Sequence, residues 1–514
     1  MGEPRAAAAP SAAASDETVS EKIKSRESKE LVIAFSGPVG SGIPSVVLHA
    51  KTLLEKTFGY SIRHIKLSEL IGELCASQGQ PINTSGQADK YLKYQDAGNE
   101  LRKQYSNDVL AEVAVTKIAS FRSSAHPGKD VSEIIPEKVA YIIDQLKHPD
   151  EVSLLRSVYG NMFFLVGVLA GERQRQKRLN DQGVSNEDAD RIMDRDKSQK
   201  LTYGQKLENT LKLADLFVRN RLGHPDLIED QIGRFLALIH GQNGITPTQD
   251  EYGMYVAHSA GLRSACLSRQ VGAAIANSNG VIISTGCNDV PKGGGGLYTA
   301  ADGKKDFRCV HEQSGQKCAN DEQKNILVAE IATALVKHGM SAPQAEEVAL
   351  QIKSSTRLKD LIEFSRSVHA EMDAIVSAAR LGKEAVQDGY LYTTTFPCHS
   401  CARHIVAAGI SRVLYIEPYE KSLALRLHED AIEADQEDGP SSDKVQFAHF
   451  EGVAPRRYQH FFMPVHPRKN ERGEAVFFSE QDAVKVSPQY LDSYKDIEAK
   501  VAEHLVRLGL IKAQ

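Results

Sequence analysis

From Leu31 the chain reads LVIAFSG, a continuous apolar run of the kind carried by a strand buried on both faces of a parallel sheet. A Gly-rich stretch follows, and then a helical pattern from Ser45. Comparable apolar runs recur at VAYIID (Val139–Asp144) and MFFLVGV (Met162–Val168), with amphipathic helical stretches between them. Strands alternating with helices predict an α/β layer on a parallel sheet. The pattern breaks at residues 241–250, where Gly, Pro and Thr cluster, and then restarts. VGAAIANSNGVIIST reads as a hairpin turning at Asn279-Gly280. Helices are predicted at NILVAEIATALVKHG and VHAEMDAIVSAARLG, strands at YLYTTTF and RVLYIEP, and a further helix opening at Cys398. Near the end, Ile497, Val501, Leu505 and Leu508 fall on one helical stripe, as for a helix docked on the core or at a subunit interface. The first residues are Ala- and Ser-rich without a period and read as a disordered tail. The organisation expected is therefore a tail over 1–28, an α/β unit over 29–245, a second α/β unit over 246–480 and a terminal helix within 481–514.

A chain of 514 residues accommodates two to three domains. Lys and Arg number 62 against 67 Asp and Glu, so the net charge of −5 lacks the basic balance of a chain devoted to nucleic acid. Hydrophobic residues at 41% and charged ones at 25% describe a globular chain with a large core. The longest apolar run, 162–170, is too short for a bilayer span, and the opening residues lack an apolar signal region. Seven cysteines, an odd and sparse count, point to reduced thiols or metal ligands in a cytoplasmic protein. Membrane, secreted-scaffold and fibrous classes are excluded.

The residues richest in chemistry are His369-Ala370-Glu371 and Pro397-Cys398-His399-Ser400-Cys401, with Cys398 27 positions after the Glu. One His and two thiolates give three ligands, the number with which a catalytic zinc keeps a fourth position for water. Such a Zn²⁺ lowers the pKa of its water to about 7. Glu371, two residues from the His, is placed to move a proton rather than bind metal. The two-residue Cys spacing lets both sulfurs converge from the first turn of one helix, whose N–H groups favour the thiolate. A structural zinc would close with a fourth ligand, and a redox pair has no use for the upstream His-x-Glu. The combined pattern His-x-Glu, then Pro-Cys-x-x-Cys, marks zinc-dependent nucleobase deaminases.

Residues from about 250 to 450 resemble the deoxycytidylate deaminase branch of the cytidine deaminase superfamily. The resemblance rests on CLSRQVGAAI (Cys266–Ile275), GCNDVPKGG (Gly286–Gly294), VHAEMDAI (Val368–Ile375) and PCHSCARHIVAAGI (Pro397–Ile410). It implies an α/β/α deaminase fold, Zn²⁺ on His369, Cys398 and Cys401, and Glu371 passing a proton from the attacking water to N3 and assisting ammonia to leave. It also implies that Asn288 and the backbone around Lys292 and Gly293 hold sugar and phosphate, and that Tyr419 closes the pocket. Some phage members bind a second, structural zinc, which by position would draw on Cys266, Cys309, His311 and Cys318, although free thiols and a solvated His are the simpler expectation.

In the first unit, SGPVGSGIPS follows its strand as a phosphate-binding loop would. Against G-x-x-x-x-G-K-[ST], Gly37 and Gly42 fit, but Ile43 stands where the Lys belongs and Pro44 where the hydroxyl belongs. Gly40, Ser41 and Ser45 complete a degenerate loop that can still cradle an anion through its N–H groups. Asp144 ends a strand in Walker B fashion. Arg173, Arg175 and Arg178 resemble the lid of small P-loop kinases, which makes this unit a P-loop kinase-like fold with weakened catalysis and a nucleotide, with Mg²⁺, as its ligand. The two units together resemble the bacterial anti-phage deoxycytidine-nucleotide deaminases. That likeness implies deamination of dCTP and dCMP during infection, a homo-oligomer, and restraint by a small RNA antitoxin. Two alternatives stand beside it: a cytosine or adenine deaminase acting on RNA or single-stranded DNA, and a non-catalytic nucleotide-sensing P-loop protein.

Overall fold

The structure is a computed structural model and describes residues 26–129, 134, 137–197, 204–380, 382, 386–419, 421–434, 443–464, 467–477, 479–481, 485, 487 and 489–512. Of the tail expected over 1–28, residues 1–25 lie outside the described residues. Arg26 pairs with Asp492, and the Ser28 hydroxyl meets that of Tyr494 at 2.8 Å.

The run at Leu31 forms β1 (Leu31–Ser36), buried along its whole length. With β2 (Ser61–Lys66), β3 (Val139–Asp144), β4 (Phe163–Leu169) and β5 (Leu216–Arg219) it makes a parallel array ordered β5-β4-β1-β3-β2. Its side chains serve two cores by simple alternation. Leu31, Ile33 and Phe35 pack against the helices Ile43–Lys56 and Pro225–Ile239, while Val32 and Ala34 pack on the opposite face with Val109–Ala125. The apolar run Leu31 to Phe35 is thus covered on both sides, as parallel sheets require. Strand β2 escapes the sequence reading because SIRHIK is polar, which its edge position permits.

The second sheet is mixed. Strands β6 (Gly272–Ala276), β7 (Ile282–Cys287), β8 (Tyr390–Thr395), β9 (Arg412–Glu417), β10 (Ile432–Ala434) and β11 (Val445–His449) are ordered β10-β11-β9-β8-β6-β7. The hairpin partners β6 and β7 are antiparallel, as are β6 and β8; the remaining pairs are parallel. The turn closes on Gly280 at φ 81°, with the Asn277 side chain accepting from the amides of Asn279 and Val281. The helix Ala370–Arg380 covers one face through Ala370 and Ala374, and the helix Gln249–Gly261 covers the other through Met254 and Ala257.

The two units are stitched together. The short strand β12 (Gly452–Val453) leaves the second unit and pairs antiparallel with β5, Gly452 opposite Phe217. Asp215, fully buried, receives Arg156, Arg456 and Arg457. The terminal helix Lys495–Arg507 returns to the first unit and packs on Val109–Ala125. Val501 and Leu505 are buried as the stripe predicts, but Leu508 is 38% exposed because the helix ends one residue before it. Among the described residues no helix is long and apolar enough to cross a membrane.

One buried group makes the first unit sensitive to acid. The His240 ring lies over Phe58 at 4.7 Å, donates from Nδ1 to the Leu236 carbonyl and accepts from the Tyr60 hydroxyl at Nε2. Burial lowers its pKa to about 4, so between that value and the ordinary 6.5 the unfolded chain binds the proton that the folded chain refuses. Stability then falls with falling pH across this window, by about 3 kcal/mol in all. His240→Gln is expected to flatten the pH dependence of the urea midpoint between pH 6.5 and 4.

Candidate active site

The helix Ala370–Arg380 lies so close to β7 that residue 286 must lack a side chain: a Cβ on Gly286 would run into the Ala370 carbonyl and the Ala374 amide. Just before the helix, the Val368 amide donates to the Asp289 carbonyl at 2.9 Å and fixes the entry of His369. From the next connection, Cys398 caps the helix His399–Ala407, its sulfur accepting from the Cys401 amide at 3.4 Å. These two helix starts converge. His369 Nδ1 lies 3.3 Å from Cys398 Sγ and 3.4 Å from Cys401 Sγ. Among the described residues these three form the one trio of candidate metal ligands whose atoms meet within 4.8 Å.

The donors fit zinc. Tetrahedral Zn–S and Zn–N bonds of about 2.3 and 2.0 Å set N and S about 3.6 Å apart, close to the spacing found. The hydrogen bond from the Cys401 thiol, and then the His369 ring, hold the Cys398 thiol down to about 4. The bond to Cys398 in turn raises the His369 ring above its ordinary value. Glu371 is 4% exposed, its Oε2 3.5 Å from Cys401 Sγ, and burial raises its carboxyl above the usual range, with His369 opposing. A carboxyl beside a metal position but outside the donor trio is placed to hold and release a proton.

His369, Glu371 and Cys398 line a cleft of about 380 Å³, with Cys401 buried beside them. Tyr419 stands in its wall, half-buried, with the Arg269 guanidinium 5.4 Å from its ring centre. Asn288 lines it too, with Oδ1 accepting from the Val271 amide and Nδ2 donating to the Arg269 carbonyl. Lys292 and Gly293 do not reach the cleft. Lys292 pairs with Asp302 at 2.8 Å, Gly293 faces open space, and Gly295 and Gly296 lean on Arg380, so this loop folds back across the far side of the helix Ala370–Arg380. Cys266, Cys309 and Cys318 line the cleft without meeting as a second donor trio, and His311 turns to Asp306 at 3.0 Å. The cleft also gathers Arg269, Lys324, Lys359, Arg366 and Lys421, none of which the spacing of motifs singles out.

In the first unit the loop 37–42 sits between β1 and the helix Ile43–Lys56, with Gly40 and Gly42 at φ 80° and 79°. Arg175 Nε donates to the Val39 carbonyl, and Arg178 to those of Gly40 and Ser41. Arg173 is exposed, as is Ser45, so neither takes the expected place at the loop. Asp144 pairs with His64 at 3.1 Å. Three residues with no motif of their own, Lys147, Asp196 and Asn220, contact the loop directly.

Residues 247–417 match the family described as the cytidine and deoxycytidylate deaminase zinc-binding region. The chain is similar to the deoxycytidylate deaminase of Enterobacteria phage T4, 28% identical over 169 residues that cover 33% of this chain and 78% of that protein. It is also similar to a probable deoxycytidylate deaminase of Drosophila melanogaster, 45% identical over 49 residues, 10% of this chain and 23% of that one. Among solved structures, the dCMP deaminase from the cyanophage S-TIM5, in complex with dCMP and dUMP, is 18% identical over 40% of this chain and all of that chain, with a TM-score of 0.23. Residues 247–417 are thus similar to a zinc-binding deaminase region, and the His369, Cys398 and Cys401 trio falls within them.

Proposed function

We propose that the second unit hydrolyses the exocyclic amine of free deoxycytidine nucleotides, dCTP, dCMP or both, giving the deoxyuridine nucleotide and ammonia. The observation that carries this reading is Glu371, a buried carboxyl beside the His369, Cys398 and Cys401 donors on the floor of an open cleft. Zinc held by those three residues supplies, when bound, a water that ionises near neutral pH. Glu371 accepts the proton of the attacking water, delivers it to N3 as C4 becomes tetrahedral, then takes the proton of the new C4 hydroxyl and passes it to the departing amine as the carbonyl forms. Arg269, Lys324, Lys359, Arg366 and Lys421 outnumber Asp321, Asp360 and Glu371 in the cleft, a balance suited to a substrate with phosphates. Asn288 keeps one amide hydrogen beyond its two internal bonds for a sugar oxygen. Tyr419 walls the ring side.

The same reading makes the first unit a nucleotide-binding P-loop domain, supported by its parallel order and by a Gly-rich loop directly after the central strand. The resemblance of the two units together extends the proposal to a cytoplasmic homo-oligomer that drains dCTP as an anti-phage defence under a small RNA antitoxin. The test is incubation of the zinc-loaded protein with dCMP, dCTP, CTP and a cytosine-containing single strand, followed by chromatography of uracil products. Conversion of dCMP or dCTP is expected. Reaction of the strand alone would replace this reading with a polymer deaminase. Gly286→Ala, which pushes His369 and Glu371 away from β7, is expected to lower turnover about a hundredfold in the same assay.

A further inference from the structure

In a working phosphate loop the backbone N–H groups face an anionic ligand. Here an anion from the chain itself stands there. The Val39 amide donates to Asp196 Oδ2 at 2.6 Å, and Asp196 is fully buried at the end of the helix Asn186–Lys197. Its second oxygen meets Lys147 Nζ at 2.7 Å, and the same ammonium reaches the Gly37 carbonyl at 2.8 Å. Lys147 enters from beyond the end of β3 and puts a cation over the loop, where the loop itself carries Ile43. Arg175 and Arg178 close the other side so tightly that a Cβ on Gly40 would lie 2.6 Å from the Arg175 carbonyl. Lys147 thus pairs with the carboxylate, while Arg175 and Arg178 hold the loop's own carbonyls at Val39, Gly40 and Ser41.

Two further observations point to a ligand. Among the described residues, the buried Ser41 Oγ has no hydrogen-bond partner, and neither do the amide N or O of Gln95. Gln95 is only 6% exposed and lies on the helix Gln87–Gln104, which packs against the helix bearing Asp196. An unpartnered buried amide is costly, and one with both donor and acceptor open matches the amino and ring-nitrogen edge of a base.

We propose that the Asp196 carboxylate is an internal stand-in for phosphate that closes this loop, and that a nucleoside polyphosphate binds there by displacing it from the Val39 amide and the Lys147 ammonium, beside Arg175 and Arg178. The proposal rests on the reading of the first unit as a nucleotide-binding domain and adds its gate. It exchanges one anion for another at the same N–H and ammonium, so no cation is left bare in either state.

The test is titration of the full zinc-loaded chain with a fluorescent nucleoside triphosphate, mant-ATP. It is done in the Glu371→Gln background with excess dCMP, so that the deaminase cleft stays filled. Asp196→Ala is expected to tighten binding at least tenfold, inorganic tripolyphosphate to displace the probe, and Lys147→Met to cancel the gain. Where Asp196→Ala does not give a cooperative melt, Asp196→Asn keeps the bond to Val39, removes the charge, and is expected to tighten binding about fivefold. Equal affinity with and without the Asp196 carboxylate would overturn the gate and leave the nucleotide-binding reading standing. Absence of binding in folded parent and variants alike would overturn both.

Discussion

Glu371→Gln is expected to lower the turnover of deoxycytidine nucleotides by about 10²–10⁴, the usual contribution of a positioned general acid–base. The zinc content of the protein should stay at the parent's value. The reason is geometric. Glu371 approaches Cys401 at 3.5 Å, while the His369, Cys398 and Cys401 donors already stand at the mutual spacing of a tetrahedral site. The glutamine keeps the volume of a nearly fully buried side chain and removes only the titrating oxygen. Product chromatography and metal analysis on the same preparation separate the two roles. Loss of zinc along with activity would make Glu371 a ligand, and full activity without the carboxylate would remove it from the chemistry. Cys401→Ser, in contrast, should release zinc and activity together, because it alters a donor.

Asp215→Ala is expected to cost about 3–5 kcal/mol, the range for leaving buried cations without their counter-charge. Asp215 accepts from Arg156, Arg456 and Arg457, each at 3.0 Å, and from the Leu165 amide at 2.8 Å. The three guanidiniums, against the cost of burial, hold its carboxyl below the usual range. Since the folded value lies under the unfolded one, this stabilisation is present above about pH 4 and disappears as pH falls toward the folded value. Two of the three arginines follow β12 directly, so the loss should be felt at the seam between the units. Urea denaturation measures the cost. Hydrogen exchange at Ala454, whose amide donates to the Asp215 carbonyl at 2.9 Å, reports whether β12 lets go of β5 first. Unchanged protection there would mean that the seam is held by Glu251 and Glu451 without the Asp215 cluster.

How much of this could be read from the residues alone follows from range. LVIAFS is a fully buried strand because five apolar residues in a row can only be covered from both sides. The His-x-Glu and Cys-x-x-Cys spacings place ligands at two helix starts, and helix geometry then aims them. The turn at Asn279-Gly280 is likewise local chemistry. The loop near Lys292 shows the opposite case. Its composition suits phosphate, yet Lys292 finds Asp302 and the glycines find Arg380, which takes it away from the cleft.

The longest-range features had no signal at all. Lys147 and Asp196 stand over a loop that begins at Gly37, and β12 completes a sheet whose other strands end at Arg219. Nor did any spacing mark the cations that line the deaminase cleft, which arrive from separate segments. The sequence by itself therefore determined what depends on neighbours along the chain: the strand and helix periods, the turn, the metal-donor spacing and the acid beside it. Only the tertiary structure decided which charges meet, because a buried carboxylate takes whichever cation the packing brings within reach. That choice is what closes the first loop on Asp196 and leaves the second cleft open.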